Sequence, residues 1–232
     1  MINKIYSSAH ATVADVHDGA TVMIGGFGVA GMPFELIQAL LDQGAREMTI
    51  VGNNAGSGEV GLAALLKAKR VRKVICSFPR QVDSHVFDAL YRAGEVELEL
   101  VPQGNLAERI RAAGAGIGAF FTPTGYGTLL AQGKETREIN GRHYVLEHPI
   151  HADFALIKAE TGDRWGNLIY RRTARNFGPI MASAARCAIA QVRQVVPLGG
   201  LDPEHIVTPG IFVQRVVAVD APSMPSQPQA AA

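Results

Sequence analysis

Residues 18–33 read Asp18-Gly19-Ala20-Thr21-Val22-Met23-Ile24-Gly25-Gly26-Phe27-Gly28-Val29-Ala30-Gly31-Met32-Pro33. Thr21-Val22-Met23-Ile24 is an apolar, partly β-branched run that predicts a strand, and Gly25-Gly26 stops it. Pro33 suits the first turn of a helix, and Phe34, Leu36, Ile37, Leu40 and Leu41 form its apolar stripe. Gly44 falls where a helix C-terminus takes a left-handed residue. A buried strand, a glycine-rich turn and an amphipathic helix in succession open an α/β fold.

The alternation continues downstream. Met48–Val51 predicts a second strand ending at Gly52-Asn53-Asn54, followed by a helix around Leu62, Leu65 and Leu66 and a strand at Val74-Ile75-Cys76. A helix near Val86–Tyr91 leads to Val96, Leu98 and Leu100, which alternate with Glu97 and Glu99 as in a strand with one wet face. Leu106–Ala113 predicts a helix closed by Gly114. This pattern specifies an open, mostly parallel sheet flanked by helices. After about Tyr126 the helical signals thin, and strands are expected at Tyr144–Leu146, Phe154–Ile157, Leu168–Tyr170, Ala188–Val192 and Phe212–Val217. The C-terminal half is therefore expected to be a more β-rich layer on the same sheet. Residues 1–220 read as one domain, and residues 221–232, with three prolines and no aromatic, as a disordered tail.

Composition narrows the function classes. Of 232 residues, 47% are hydrophobic and 19% charged, enough to build a substantial core. Twenty-two basic and 21 acidic residues leave a net charge of +1, which gives no reason to expect nucleic acid or an anionic membrane as partner. Cys76 and Cys187, both in apolar runs, make no disulfide framework and fit a reducing, cytoplasmic setting. The opening Met1–Tyr6 lacks a signal-peptide pattern, and no apolar stretch approaches the roughly 20 residues that span a bilayer. The 25 glycines cluster at 25–31, 52–61, 114–118 and 125–127, as expected where backbone is held close to something or turns sharply.

Gly26-Phe27-Gly28-Val29-Ala30-Gly31 is a literal G-x-G-x-x-G after a strand, so a dinucleotide loop and an NAD-dependent oxidoreductase enter as one reading. Pro33 argues against it, because that motif starts its helix near the second glycine and Pro33 would fall inside the first turns. The second strand also ends in Gly52-Asn53-Asn54, without the acidic residue that holds a ribose hydroxyl.

With its flanks, the segment resembles the signature of the family I CoA-transferases: an Asp-Gly turn, an apolar strand, Gly-Gly-Phe, a gap of three, Gly, one residue and Pro. The resemblance continues through Asn53-Asn54-Ala55-Gly56, Pro102-Gln103-Gly104, residues 106–112, residues 121–128 and Ala174-Arg175-Asn176-Phe177. In order and spacing it follows the A-type half from about Ile5 to Val217. It implies a CoA-transferase or NagB–RpiA-like arrangement with Gly25, Gly26, Phe27, Gly28, Val29, Ala30 and Gly31 as the CoA-binding segment. It also implies a B-type partner carrying the nucleophilic glutamate, in an α2β2 assembly, with no catalytic acid in this chain, no metal and no cofactor, CoA being a substrate. Residues 71–80 and 162–170 tilt the likeness toward transfer from succinyl-CoA to 3-oxoadipate in aromatic-compound breakdown, with acetoacetate as the alternative acceptor.

Such transfer needs a carboxylate nucleophile and donors for successive tetrahedral oxyanions, which glycine-loop amides supply unobstructed. Asn53, Asn54 and Gln103 are expected just past strand ends, where a neutral amide can orient a substrate carboxylate without repelling the nucleophile. Asn53-Asn54 before Ala55-Gly56 equally reads as a plain turn. Glu59 and Glu108 read as surface or helix-face charges. His143, His148 and His151 have spacings unsuited to a metal, and Pro149 interrupts them. Arg171, Arg172 and Arg175 are candidates to touch an acidic substrate or the partner, against a default of solvated charges.

Overall fold

A computed structural model describes residues 2–219; the expected tail at residues 221–232 lies outside the described residues. In chain order the elements begin with β1 (Ile5–Tyr6), α1 (Ala9–Val13), β2 (Thr21–Ile24), α2 (Phe34–Gln43), β3 (Met48–Asn54) and α3 (Leu62–Lys67). They continue with β4 (Val71–Phe78), α4 (His85–Arg92), β5 (Glu97–Leu100), α5 (Gln103–Gly114) and β6 (Phe120–Thr122). The remainder is β7 (Thr136–Ile139), β8 (Arg142–Glu147), β9 (Ala152–Asp163), β10 (Leu168–Ile169), α6 (Gly178–Ala184), β11 (Ala185–Val196) and β12 (Arg215–Ala218).

The main sheet runs β1-β12-β11-β9-β2-β3-β4-β5 with every neighbour parallel, and β10 folds back antiparallel on β9. Each face carries its own apolar core. One packs Val22, Ile24, Ile50 and Val74 under Leu36, Leu40, Leu65 and Phe87 of α2, α3 and α4. The other packs Met23, Val51, Ile75 and Ile157 under Leu106, Ile110 and Met181 of α5 and α6. Alternate strand residues thus feed opposite layers, as the pleat requires. Among the described residues no helix is long and apolar enough to cross a membrane.

Three expectations are corrected. β9, β11 and β12 do widen the main sheet, but β6, β8 and β7 form a separate antiparallel sheet rather than part of that layer. Its hairpin closes through Asn140-Gly141, both left-handed at φ 51° and 75°. Gly114 is the last residue of α5, as expected, but not its left-handed cap: a Cβ there would strike Ser183 Oγ on α6, so it permits helix contact. The left-handed residue that terminates the helix is Gly116, φ 69°, just past the C-cap Ala115, with Ile117 N bonded to Ala112 O and Gly116 N to Ala113 O. Strand structure expected from Phe212 begins only at Arg215, because Gly210–Phe212 forms a turn against the Trp165 carbonyl.

α2 has an unusual start. Pro33 supplies no capping side chain. The buried Gln191 of β11 substitutes, its Oε1 accepting from Leu36 N at 3.3 Å and its Nε2 donating to Glu35 Oε2 at 2.6 Å.

Candidate active site

Two groups of residues meet at the carboxyl edge of the sheet. The first leaves β2. Gly25 N continues the ladder to Leu156 O at 2.9 Å, and Phe27 and Ala30 then close a two-residue hairpin, exchanging N–H···O bonds of 3.0 and 3.2 Å around Gly28 at φ 59°. Phe27 and Val29 stand exposed at its tip. The helix starts only at Phe34. That separation, with Asn53 and Asn54 ending β3, removes the geometry of a dinucleotide loop.

Hydrogen bonding divides the seven loop residues. The amides of Gly25, Phe27 and Ala30 are used within the protein, whereas those of Gly26, Gly28, Val29 and Gly31 have no acceptor among the described residues. Gly26 and Gly31 are buried. Backbone N–H groups of buried residues are rarely left without a partner, which singles these two out as candidate donors.

The second group is centred on Asn53. The sequence reading put Asn53 and Asn54 beyond the strand, but both belong to β3, and Gln103 is the first residue of α5. Being adjacent on a strand, the two asparagines face opposite layers. Asn54 Oδ1 turns to Gly56 N at 2.9 Å, closing the following turn. Asn53 faces α5: its Oδ1 accepts from Gln103 Nε2 at 2.9 Å, and the Ser77 hydroxyl lies 3.1 Å from both that oxygen and the Asn53 carbonyl. With the oxygen consumed, the amide orientation is fixed and Nδ2 is left without an acceptor among the described residues. Asn53 is 4% exposed, yet Nδ2 is not sealed away, since Arg70 Nε is the one fully buried side-chain polar atom without a partner among those residues. The structure therefore unites Asn53, Gln103 and Ser77 and separates Asn54. Ser77 was missed by the sequence reading; its only signal is its place two residues after Ile75, on the face that packs α5.

The two groups adjoin, because β2 and β3 are paired and a Cβ on Gly52 would lie 3.4 Å from Ile24 O. A strap after β10 braces the loop from the other side. Asn176 Nδ2 donates to Ala30 O at 2.9 Å and Thr173 O at 2.8 Å, and a Cβ on Gly31 would strike Ala174 O at 2.5 Å.

The other carboxylates singled out in the sequence are otherwise engaged. Glu59 is exposed in the loop before α3, where its bond from Lys67 at 2.7 Å holds its carboxyl below the ordinary value. Glu108 pairs with Arg111 at 2.9 Å. The buried Glu147 is held by Lys134 at 2.7 Å and Asn105 at 3.2 Å, tying the small sheet to α5. Burial pushes the Cys76 thiol up to about 12, so it stays protonated and unreactive.

The family model for coenzyme A transferase matches residues 6–219. The chain is 74% identical over 219 residues to the A-type chain of 3-oxoadipate CoA-transferase from Pseudomonas putida, covering 94% of this chain and 95% of that one. It is 51% identical over 215 residues to the A-type chain of succinyl-CoA:3-ketoacid coenzyme A transferase from Xanthomonas campestris pv. campestris strain B100, covering 92% and 88%. Among solved structures, an acyl-CoA transferase from E. coli O157:H7 in thioester complex with CoA shares the fold, with a TM-score of 0.81 at 24% identity. That match covers 94% of this chain and 47% of the other, so this chain spans about half of the solved one.

Proposed function

The chain belongs to the coenzyme A transferase family, and from that premise we propose that it is the A-type component of an enzyme moving CoA from succinyl-CoA to 3-oxoadipate. The substrate choice is supported by the 74% likeness to the Pseudomonas putida chain, against 51% to the succinyl-CoA:3-ketoacid relative. A B-type partner, paired in an α2β2 assembly in the cytosol, supplies the nucleophilic glutamate.

The chemistry runs in balanced steps. The partner's carboxylate attacks the succinyl-CoA carbonyl, the C–S bond breaks, and an acyl anhydride and CoA thiolate result. The thiolate then attacks the anhydride carbonyl on the enzyme's side, releasing succinate and leaving an enzyme thioester. The 3-oxoadipate carboxylate repeats the sequence in reverse and leaves as its CoA ester. Every addition places negative charge on a carbonyl oxygen, and stabilising that charge before any reorganisation is where a fixed donor contributes most.

One observation supports this role for the chain above the others. Asn53 is a buried amide whose oxygen is consumed by Gln103 and Ser77 and whose N–H groups are free at the carboxyl edge. Such a donor is neutral, so it neither repels the attacking carboxylate nor takes its proton. The free amides of Gly26 and Gly31 add donors one strand away. Gln103 and Ser77 serve as positioning residues, since each acts on Asn53.

The test is the purified chain co-expressed with its B-type partner. Formation of the 3-oxoadipate CoA ester from succinyl-CoA is expected from the pair and not from this chain by itself. Equal kcat/KM with acetoacetate would remove the substrate choice. A covalent thioester trapped on a carboxyl of this chain would overturn the division of labour.

A further inference from the structure

The small sheet β6-β8-β7 is tied to the body of the chain by polar contacts. Neither apolar core includes a residue between 116 and 149. Instead the buried Asn105 of α5 donates from Nδ2 to Glu147 Oε1 at 3.2 Å and to Thr124 O at 3.3 Å. Lys134 closes on Glu147 at 2.7 Å, and Ile150 N bonds Arg109 O at 3.0 Å. From Asn105 to Arg109 the neighbouring segment advances from Glu147 to Ile150, so β8 and α5 run in the same direction. Followed backward, β8 passes the start of the helix. His143 lies four strand residues, about 13 Å, before Glu147, whereas Gln103 is only two helical residues, about 3 Å, before Asn105. His143 shares its strand face with the buried Val145 and Glu147, so it overhangs the carboxyl edge on the Gln103 and Asn53 side.

Tyr126, from the loop after β6, stacks on that imidazole with ring centroids 4.5 Å apart and planes at 11°. The ring nitrogens of His143 and the Tyr126 hydroxyl have no hydrogen-bond or ion-pair partner among the described residues. Glu138, opposite His143 on β7, makes no ion pair with it. The cations of this region are already spent or turned away. Lys134 is held by Glu147, Arg109 by Glu99, and Arg137 by Glu135. Arg142 lies over the Tyr144 ring and, next to His143 in the strand, does not share its face. Two unspent donors, fixed side by side by stacking, remain above the edge where Asn53 presents its own.

We propose that Tyr126 and His143 form the subsite for the remote carboxylate of the acceptor acid, each donating to it while the reacting carboxyl lies at Asn53. The inference rests on the transferase reading above and names what in this chain selects among acids. A remote carboxylate is what the six-carbon dicarboxylate has and acetoacetate lacks. Donors set one acid length beyond Asn53 therefore tell the two apart. A site built this way rejects an analogue without the carboxylate, because its own donors are left unpaired. Stacking holds both rings before the acid arrives, which reduces the ordering cost of binding.

The experiment uses the chain in complex with its B-type partner. Y126F and H143F each keep the stacked ring and remove only the polar atoms. Both, and the double variant, are compared with wild type in kinetics with 3-oxoadipate and with 3-oxohexanoate, which has the same chain length without the remote carboxylate. Binding of 3-oxoadipate is followed by calorimetry as a readout independent of turnover. Each single change is expected to lower kcat/KM and affinity for 3-oxoadipate about tenfold, the equivalent of one lost hydrogen bond to a charged group. The loss should appear in KM, with kcat, the 3-oxohexanoate rates and the melting temperature unchanged, because the contact is the same in ground and transition states. Equal losses with both acids would mean that the stack is merely structural and would overturn the proposal. So would a double variant that keeps the wild-type preference, or a wild-type complex that does not distinguish the two acids. A complex that binds 3-oxoadipate in a His143-dependent way but forms no CoA ester refutes the reaction and leaves the subsite standing. Ester formation with variants that bind like wild type refutes the subsite alone, so the two failures are distinguishable.

Discussion

Replacing Asn53 by aspartate isolates the free donor from everything else the residue does. The substitution keeps the shape and keeps Oδ1, so the bonds from Gln103 at 2.9 Å and Ser77 at 3.1 Å survive. It converts Nδ2, the group without an acceptor, into a second carboxylate oxygen facing the place where negative charge develops. Losing one oxyanion donor costs roughly 10²–10³ in kcat, about 2.7–4 kcal/mol, and a repelling charge adds to that. The expected result for the complex is therefore a kcat at least about 100-fold down with succinyl-CoA, with a melting temperature lowered at neutral pH, where the buried group is charged, and recovering toward acid. The pH response supplies a second readout. A carboxyl buried to this degree (Asn53 is 4% exposed) titrates above the ordinary carboxylate value, because burial disfavours its charged form. As pH falls through that raised value the group gains a proton it can donate, so the N53D rate relative to wild type should climb toward acid. Turnover within about threefold of wild type at neutral pH would refute the donor role, since it corresponds to well under 1 kcal/mol. A large loss with no relative recovery on acidification would show that the charge is not what matters.

Three further outcomes follow from the geometry. Gly31→Ala drives a methyl to 2.5 Å from Ala174 O at φ 78°, which combines left-handed strain of about 1–2 kcal/mol with overpacking of about 1–3 kcal/mol; a melting temperature lower by about 5–15 °C is expected, whereas Gly19→Ala, at φ 76° with nothing within 4 Å, should show the strain alone. Asp15 is held below the ordinary carboxylate value by its hydrogen bonds from Arg215, so the pair stabilises the fold above the unfolded-state pKa and loses that contribution as pH falls through the depressed folded value. The Asp15 side chain is 58% exposed, so D15N should cost less than about 1 kcal/mol in urea titration at pH 7, with the difference vanishing in acid. The double variant N53D/H143F should show additive losses within about 0.5 kcal/mol in kcat/KM for 3-oxoadipate, because the two groups share no hydrogen-bond partner.

Sequence patterning revealed the main sheet and obscured part of the small antiparallel one. Thr21–Ile24 could be placed to the residue because an apolar run met two glycines that end it. The stripe of α2 and its left-handed Gly44 were equally explicit. β7 was hidden because all four of its residues are exposed, leaving no apolar alternation, although Asn140-Gly141 is a strong hairpin signal in its own right. At the site, Gly52 reads as a strand terminator, yet β3 runs on through Asn54 because Gly52 packs against Ile24 O and Asn54 still pairs with Phe78. That error concealed the alternation that sends Asn53 and Asn54 to opposite layers. Gln103 and Asn53 were both singled out, but their bond joins residues 50 positions apart, and local spacing carries no information about such a contact. The same holds for Asn176, which reaches back to Ala30 across 146 positions.

The two groups at the carboxyl edge differ in how they are held, and that difference assigns their work. Asn53 sits on a strand buried along its whole length, with its amide fixed by donors from β4 and α5. A donor mounted this way keeps its direction while charge builds and collapses on the substrate, which is what lowers a barrier. The glycine hairpin and the arginine strap are loops, exposed at their tips and tied to each other by the single side chain of Asn176. Surfaces of that kind adapt to a large ligand and release it, and they contribute equally before and during the reaction. If the nucleophile comes from another polypeptide, as proposed above, docking can adjust the hairpin without disturbing Asn53, because the bonds that orient the amide come from β4 and α5 and not from the loop. The rigid donor then meets whatever carbonyl the adaptable loops deliver, and substrate affinity and transition-state stabilisation become separable properties of one sheet edge.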